Sequence, residues 1–392
     1  GDEALDSESA PGAVGLALAH RLVQLLGGAV GMEVDSDDRC SFWCTLPFES
    51  GVGDDTRFSH FPEHDNYGIH AQETLVPWED GRLVLGYDWD TITGKARDVL
   101  PGGAVRNELS RQELRRSSPY AMLAHTFGEA VTVTPSAGVR WTDTRYFGRD
   151  WSYQAGCVAA CANTEFYVNM ARSRNYPGIY TAMFYRNYWG FLGRPDGWQD
   201  LDPERIDHWE AGVTHRFGRR LKAAFSVYRD EVHDALRLAL PPPPPPRWAN
   251  IGDYTSQGAE LTVTAYPADN VDCFLGVSHA DTDPDDIPHT PDWTVSAGLE
   301  YRFTPRITLN ADAEYVGEHA VVNTRKAAAP QQDVDDHLLV NARIGYRLTA
   351  ADTTRRAEIF LQADNLTDES YEYQPGYPMP GATFTAGLTL GW

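Results

Sequence analysis

The chain has 392 residues, with 56 carboxylates against 33 Lys and Arg and a net charge of -23. An acidic balance of that size excludes a nucleic-acid partner, which would need a basic stripe to neutralise phosphates. No apolar run approaches the ~20 residues of a membrane-crossing helix, so a helical membrane protein is excluded, whereas a sheet showing lipid only alternate residues stays open.

In chain order, residues 1–48 read as a small α/β unit. Leu16, Leu18, Leu22, Val23, Leu25 and Leu26 recur at helical spacing, and Gly27-Gly28 stops the helix. Two short strands follow, 29–34 and 41–46, joined by an acidic turn. The opening Gly-Asp-Glu-Ala-Leu-Asp is no export signal, so the true N-terminus is expected to be missing or replaced. Of the five cysteines, Cys40/Cys44 and Cys157/Cys161 are spaced i, i+4. In extended chain that puts their Cα atoms roughly 13 Å apart, too far to bridge. They read as ordinary unpaired cysteines, with no partner ligands for zinc.

The stretch 11–48 resembles the end of a sensor histidine kinase ATP-binding domain. The matching residues are Ala13-Val14-Gly15-Leu16-Ala17-Leu18, then Arg21 to Gly28, then a hairpin closing Ser41-Phe42-Trp43-Cys44-Thr45-Leu46-Pro47. Pro11 and Ala13 stand where that family has loop glycines that let backbone approach phosphates, so a degenerate, non-binding remnant is expected.

Residues 49–66 read as a linker, and residues 67–392 as short alternating strands with turn signals between them. Trp293, Val295, Ala297, Leu299, Tyr301 and Phe303 alternate with Thr294, Ser296, Gly298, Glu300 and Arg302. Ile307 to Tyr315 and Val340 to Leu348 repeat the pattern. Lengths near ten residues with aromatic ends fit lipid-facing strands between interfacial girdles. Short turns are expected around residues 78–81, 127–130, 160–163, 217–219, 267–270, 304–306 and 349–354. Long connections are expected at 93–118, 176–202, 239–247, 281–292, 317–336 and 366–381, with a short one at 147–150. That alternation is the one that separates the two rims of a bacterial barrel. The fold class is thus mainly β: a partial antiparallel transmembrane barrel of about fifteen strands behind a small α/β stub. The odd count leads to the expectation that an upstream part is missing.

The ending carries a second resemblance. Leu361-Gln362-Ala363-Asp364-Asn365-Leu366-Thr367-Asp368 is followed by Tyr371, Gly376-Tyr377-Pro378, Gly381 and an alternating final strand, Phe384, Ala386, Leu388, Leu390, Trp392. Upstream stand Asn250-Ile251-Gly252, Ser256-Gln257-Gly258-Ala259-Glu260-Leu261, and Phe225-Ser226-Val227-Tyr228-Arg229-Asp230. Together they resemble the barrel of TonB-dependent outer-membrane receptors. The resemblance implies an outer-membrane transporter for a scarce ligand such as an iron–siderophore, haem or cobalamin complex. It implies no enzyme and no cofactor, and outer-membrane lipid and the barrel-assembly machinery as partners. Phe384, Leu388, Leu390 and Trp392 would be the assembly signal. That family's plug and TonB-contacting segment are not visible, so TonB is implied as a partner only if the full protein carries a plug.

The candidate small-molecule site is the aromatic connection 176–202, where Tyr180, Tyr185, Tyr188, Trp189 and Trp198 could clasp a ligand by stacking. Self-packing of the loop is the competing reading. His233, His279 and His289 flank external loops, and Asp281, Asp283, Asp285 and Asp286 read as a solvated cluster. The alternative functions are an ATP-binding signalling fragment fused to a barrel remnant, and a nonfunctional rearranged product.

Overall fold

A computed structural model describes residues 29–34, 40–45, 59–99, 103–182, 196–239, 247–285, 287–322, 331–349 and 356–391. Two compact units divide the chain, residues 1–61 with 98–106, and residues 62–97 with 107–392. In the first, β1 (Ala29–Val34) and β2 (Cys40–Thr45) form an antiparallel hairpin in the register Ala29↔Thr45 to Val34↔Cys40. The expected helix before it lies outside the described residues.

The second unit is built on one antiparallel sheet. Its strands are β3 (Ser59–Leu75), β4 (Gly81–Val99), β5 (Val105–His125), β6 (Val131–Thr144), β7 (Gly148–Cys161), β8 (Thr164–Asn175), β9 (Glu204–Phe217) and β10 (Leu221–His233). After a small hairpin of β11 (Leu236–Ala239) and β12 (Arg247–Asn250) come β13 (Tyr254–Ala268), β14 (Val271–Asp283), β15 (Trp293–Thr304) and β16 (Ile307–Val316). A second small hairpin, β17 (His319–Val322) with β18 (Gln331–Val334), precedes β19 (His337–Arg347), β20 (Arg356–Asp364) and β21 (Thr383–Gly391). The sheet has 15 strands in simple up-and-down order, β3 to β10 and then β13 to β16, β19, β20 and β21. The expected strand count and class are therefore present.

Alternation fixes the two faces. Along β6, Val131, Val133, Pro135, Ala137 and Val139 are exposed, while Thr132, Thr134, Ser136, Gly138 and Arg140 are half-covered. The pairing carries this parity across the sheet. Pro135 opposes Cys157, Cys157 opposes Val168, Val168 opposes Ala211, and Ala211 opposes Val227. The same face runs on through Ala259, Val277, Val295, Tyr315, Leu338 and neighbouring rows. Val131 at 53%, Phe166 at 55% and Phe384 at 76% exposure show how much apolar surface it presents.

A water-soluble domain does not leave so large an apolar surface uncovered. The opposite face is polar and internally bonded. Arg343 donates to Glu358 at 2.6 Å, Arg302 to Asp272 at 2.7 Å, Asn341 to Asp312 at 2.7 Å, and Tyr167 to Glu210 at 2.5 Å. A sheet apolar on one face, polar on the other and hydrogen-bonded throughout its interior is the β solution for crossing a bilayer.

Connections alternate as expected at one rim: β3–β4, β5–β6, β7–β8, β9–β10, β13–β14, β15–β16 and β19–β20 are all short. Two expectations need correction. Residues 93–118 are not one long loop, because β4 runs to Val99 and β5 starts at Val105. Charged residues of this stretch therefore fall within β4 and β5 and not in a connection. The stretch 49–66 is likewise not all linker, since β3 begins at Ser59. Cys157, Cys161 and Cys273 are free thiols.

Candidate functional site

The long connection after β8 is described at residues 176–182 and 196–203, so Tyr185, Tyr188 and Trp189 fall outside the described residues. Trp198 lies in a short 3-10 turn, Gly197–Asp200, and is wholly buried. It packs with Ala182, Leu201 and Leu236. Tyr146 meets its ring edge-on at 4.7 Å between centroids, and Phe147 at 5.9 Å. Glu204 accepts the Leu236 N–H at 2.9 Å beneath this cluster. Trp198 therefore pins the connection to the β6–β7 turn and to β11, and Tyr180 is left exposed at 57%. The self-packing reading describes Trp198, whereas Tyr180 is free to meet a ligand.

Next to this anchor is a cleft of about 110 Å3. Asp90, Leu114, Arg115, Arg116, Arg145, Tyr146, Phe147 and Tyr176 are among its lining residues. Its frame is set by pairing: the Arg145 N–H donates to the Arg115 carbonyl at 3.1 Å, fastening the β6–β7 turn to β5. The Phe147 N–H donates to Thr144 Oγ1 at 3.0 Å, closing the turn. Arg116 donates to Asp90 at 2.9 Å, and Arg145 to Glu113 at 2.9 Å while its guanidinium lies 5.5 Å over the Tyr146 ring. Among the described residues Arg115 has no ion-pair partner. Burial, helped by the Asp150 carboxylate, pushes the Tyr176 hydroxyl up to about 12, so it stays a neutral phenol at any working pH.

Arg115, Arg116 and Arg145 line this opening with Tyr146, Phe147 and Tyr176; Arg116 and Arg145 are paired with Asp90 and Glu113, which leaves Arg115 as the charge available to a ligand. Such a cleft favours a flat, anionic group held by charge and stacking. The sequence does not mark this cleft, because 93–118 reads as loop and the aromatic density lies in 176–202. The adjacent Arg115-Arg116 pair was the available signal.

The C-terminal motif is structural. Asn365 is 5% exposed with a left-handed φ of 52°. Its Oδ1 accepts the Glu369 N–H at 2.8 Å, and its Nδ2 donates to the Glu369 and Pro380 carbonyls at 2.9 and 3.2 Å. Asp368 accepts the Ala382 N–H at 2.9 Å, closing the loop onto the start of β21. On β21, Phe384 and Leu388 project on the apolar face, Leu390 pairs with Ala357, and Trp392 lies outside the described residues.

An up-and-down antiparallel sheet, apolar on one face and polar on the other, defines the membrane β-barrel class. Residues 28–366 match the family model described as TonB dependent receptor-like, beta-barrel, and the chain belongs to that family.

No curated protein matches the sequence. Among solved structures, the ferric enterobactin receptor PfeA of Pseudomonas aeruginosa is similar, with 16% identity, a TM-score of 0.64, and 93% of this chain and 57% of that one covered. The copper transporter OprC gives 16% identity and a TM-score of 0.65 over 84% of this chain and 57% of that one. The FrpB iron transporter of Neisseria meningitidis gives 14% identity and a TM-score of 0.64 over 83% and 55%. The chain thus spans little more than half the length of these proteins.

The kinase resemblance of residues 11–48 is not supported. The barrel family model begins at residue 28, inside that stretch, and takes in both strands of the β1–β2 hairpin. A helix, two glycines and a hairpin make a short pattern that many folds satisfy, and it carries little identity without its chemistry.

Proposed function

We propose that the protein is an outer-membrane receptor of a Gram-negative bacterium that takes up a scarce, anionic metal chelate of the iron–siderophore class. The observation that carries this is the cleft of Arg115, Arg116 and Arg145 with Tyr146, Phe147 and Tyr176. At about 110 Å3 it is near the ~150 Å3 that holds one aromatic ring, so it would seat one arm of a larger chelate. The exposed Tyr180, with Tyr185, Tyr188 and Trp189, would cover the remainder. Haem and cobalamin fit less well, because no histidine is among the described residues lining the cleft and the positive charge favours an anion. Likeness to a ferric enterobactin receptor and an iron transporter points the same way.

The remaining roles follow from that placement. Residues 67–392 would form the barrel portion and residues 1–48 a separate small unit. Phe384, Leu388, Leu390 and Trp392 would be read by the barrel-assembly machinery, and TonB would act through a plug of the whole protein.

The test is tryptophan-quenching titration of the detergent-folded protein with a ferric tricatecholate, a ferric hydroxamate, haem and cobalamin. Saturable binding of a ferric siderophore is expected. Arg115→Ala should weaken it roughly tenfold, the scale of one charge-assisted contact. Binding of haem or cobalamin but of neither ferric siderophore would refute the assignment.

A further inference from the structure

The connection between β20 and β21 folds back over the polar face of β19 at its loop end. His337, Leu339 and Asn341 are all buried there, while Leu338 between them is exposed. That period of two follows from the pleat, which turns the three side chains to one face. The connection is held at its base and at its tip. At the base, Asn341 Oδ1 accepts the Asn365 N–H at 3.0 Å, and the Leu366 N–H donates to the Val340 carbonyl at 2.8 Å. At the tip, Tyr371 stacks on the His337 ring with 4.9 Å between centroids, and Tyr373 meets that ring edge-on at 5.7 Å. The two tyrosines meet each other edge-on at 5.3 Å.

Histidine is a costly platform for two tyrosines. The residue is 3% exposed, both ring nitrogens are closed off from solvent, and among the described residues neither makes a hydrogen bond of normal geometry, although the Asp335 backbone lies alongside. A phenylalanine would fill the same place without stranding polar atoms. The groups facing the ring come from four directions. β16 brings Glu314, β17 brings His319, the turn before β19 brings Asp335, and the connection brings Glu369 with the two tyrosines. The neighbouring Asp336 carboxylate is bonded to the Tyr315 hydroxyl. Glu314, Glu369, the Asp335 backbone and the tyrosine faces favour an imidazolium, whereas burial and His319 oppose it. Burial is the largest of these influences, so the imidazole is held below its ordinary pKa.

We propose that His337 is an acid-operated latch: neutral, it clasps Tyr371 and Tyr373 and keeps residues 370–379 closed over β19, and protonated, it releases them. A charged ring has no acceptor of its own where it stands, and leaving that place gives both N–H groups to water. The tyrosines then lose their platform, while Asn365 still holds the base. The closed state binds the proton less tightly than the open one. Closure is therefore strongest above the ordinary histidine pKa and weakens as pH falls from there through the folded value. The latch uses neither the chelate cleft on β4–β6 nor any bound ligand, so it stands or falls independently of siderophore uptake.

The experiment is hydrogen exchange of the detergent-folded protein from about pH 7.5 down to about pH 5, either side of the ordinary histidine value, with each rate divided by the intrinsic rate at that pH. Exchange within residues 370–379 should accelerate by up to about tenfold per pH unit, the slope of one linked proton, against a steady β13–β16. His337→Phe keeps an aromatic platform without a titrating nitrogen, and should hold the connection closed with no acid acceleration. Glu314→Gln removes a carboxylate that favours the charged ring, and should move the acceleration to lower pH. Heat-modifiable gel migration checks that each variant folds. A flat wild-type profile overturns the proposal. So does acceleration that persists in His337→Phe, because Asp368 or Glu372, which accept the Ala382 and Gly376 N–H groups, would then be the titrating residue. Should His337→Phe fail to fold, Glu314→Gln decides, and an unmoved profile in that variant overturns the proposal too.

Discussion

Replacing Asn365 by alanine should open the connection between β20 and β21 while leaving the sheet folded. The side chain makes three hydrogen bonds, one accepted from the Glu369 N–H and two donated to the Glu369 and Pro380 carbonyls. A net contribution near 1 kcal/mol each, discounted because the loop carbonyls can regain water, gives about 2 kcal/mol. Asn365 also holds φ at 52°, where asparagine is tolerated and alanine costs about 1 kcal/mol more. The sum, about 3 kcal/mol, is roughly two orders of magnitude in the opening equilibrium. Hydrogen exchange of the detergent-folded protein reads this directly. Amides of residues 366–382 should exchange roughly a hundredfold faster, with β13–β16 as the internal reference. Asn365→Gly should recover only the backbone part, because glycine accepts the left-handed conformation. If Asn365→Ala changes loop exchange by less than about threefold, or if Asn365→Gly equals wild type, the hydrogen-bond account is wrong.

Trp198→Ala should cost the outer loop about 3–5 kcal/mol of packing, appearing as rapid protease cleavage within residues 176–203 and little change in the melting of the sheet. Gly128 has φ +87, and a Cβ there would stand 2.1 Å from the Val131 carbonyl oxygen. Gly128→Ala should therefore lower the yield of heat-modifiable folded protein. In the loop before β15, burial first, then the charges of His319 and Arg237, hold the His289 imidazole below its ordinary pKa. A folded pKa below the unfolded one contributes stability above the unfolded value and loses it as pH falls through the folded one. Proteolysis near residue 289, whose N–H bonds to the Ala320 carbonyl at 2.7 Å, should rise as pH drops below the ordinary histidine range. His289→Asn should abolish that acid sensitivity, and an unchanged pH profile would count against burial as the cause.

Alternation alone was enough to determine the class of this protein. A side-chain period of two, sustained from Val131 to Leu388 with polar residues between, dictates a sheet with one apolar face, and the spacing of turns orders its strands. Those are local properties, carried by each residue's own parity. The same locality explains the failures. Residues 93–118 look like loop because both strand faces are polar there, and only pairing with neighbours reveals the extension. Trp198 looked like a ligand contact because exposure depends on what packs against it, here Tyr146, Phe147 and Leu236 from distant strands. Arg145 meets Arg115 and Arg116 only through antiparallel pairing of β5 with β6 and its turn. Which charges meet is set by hydrogen-bonded pairing across the sheet, and no single strand contains that information.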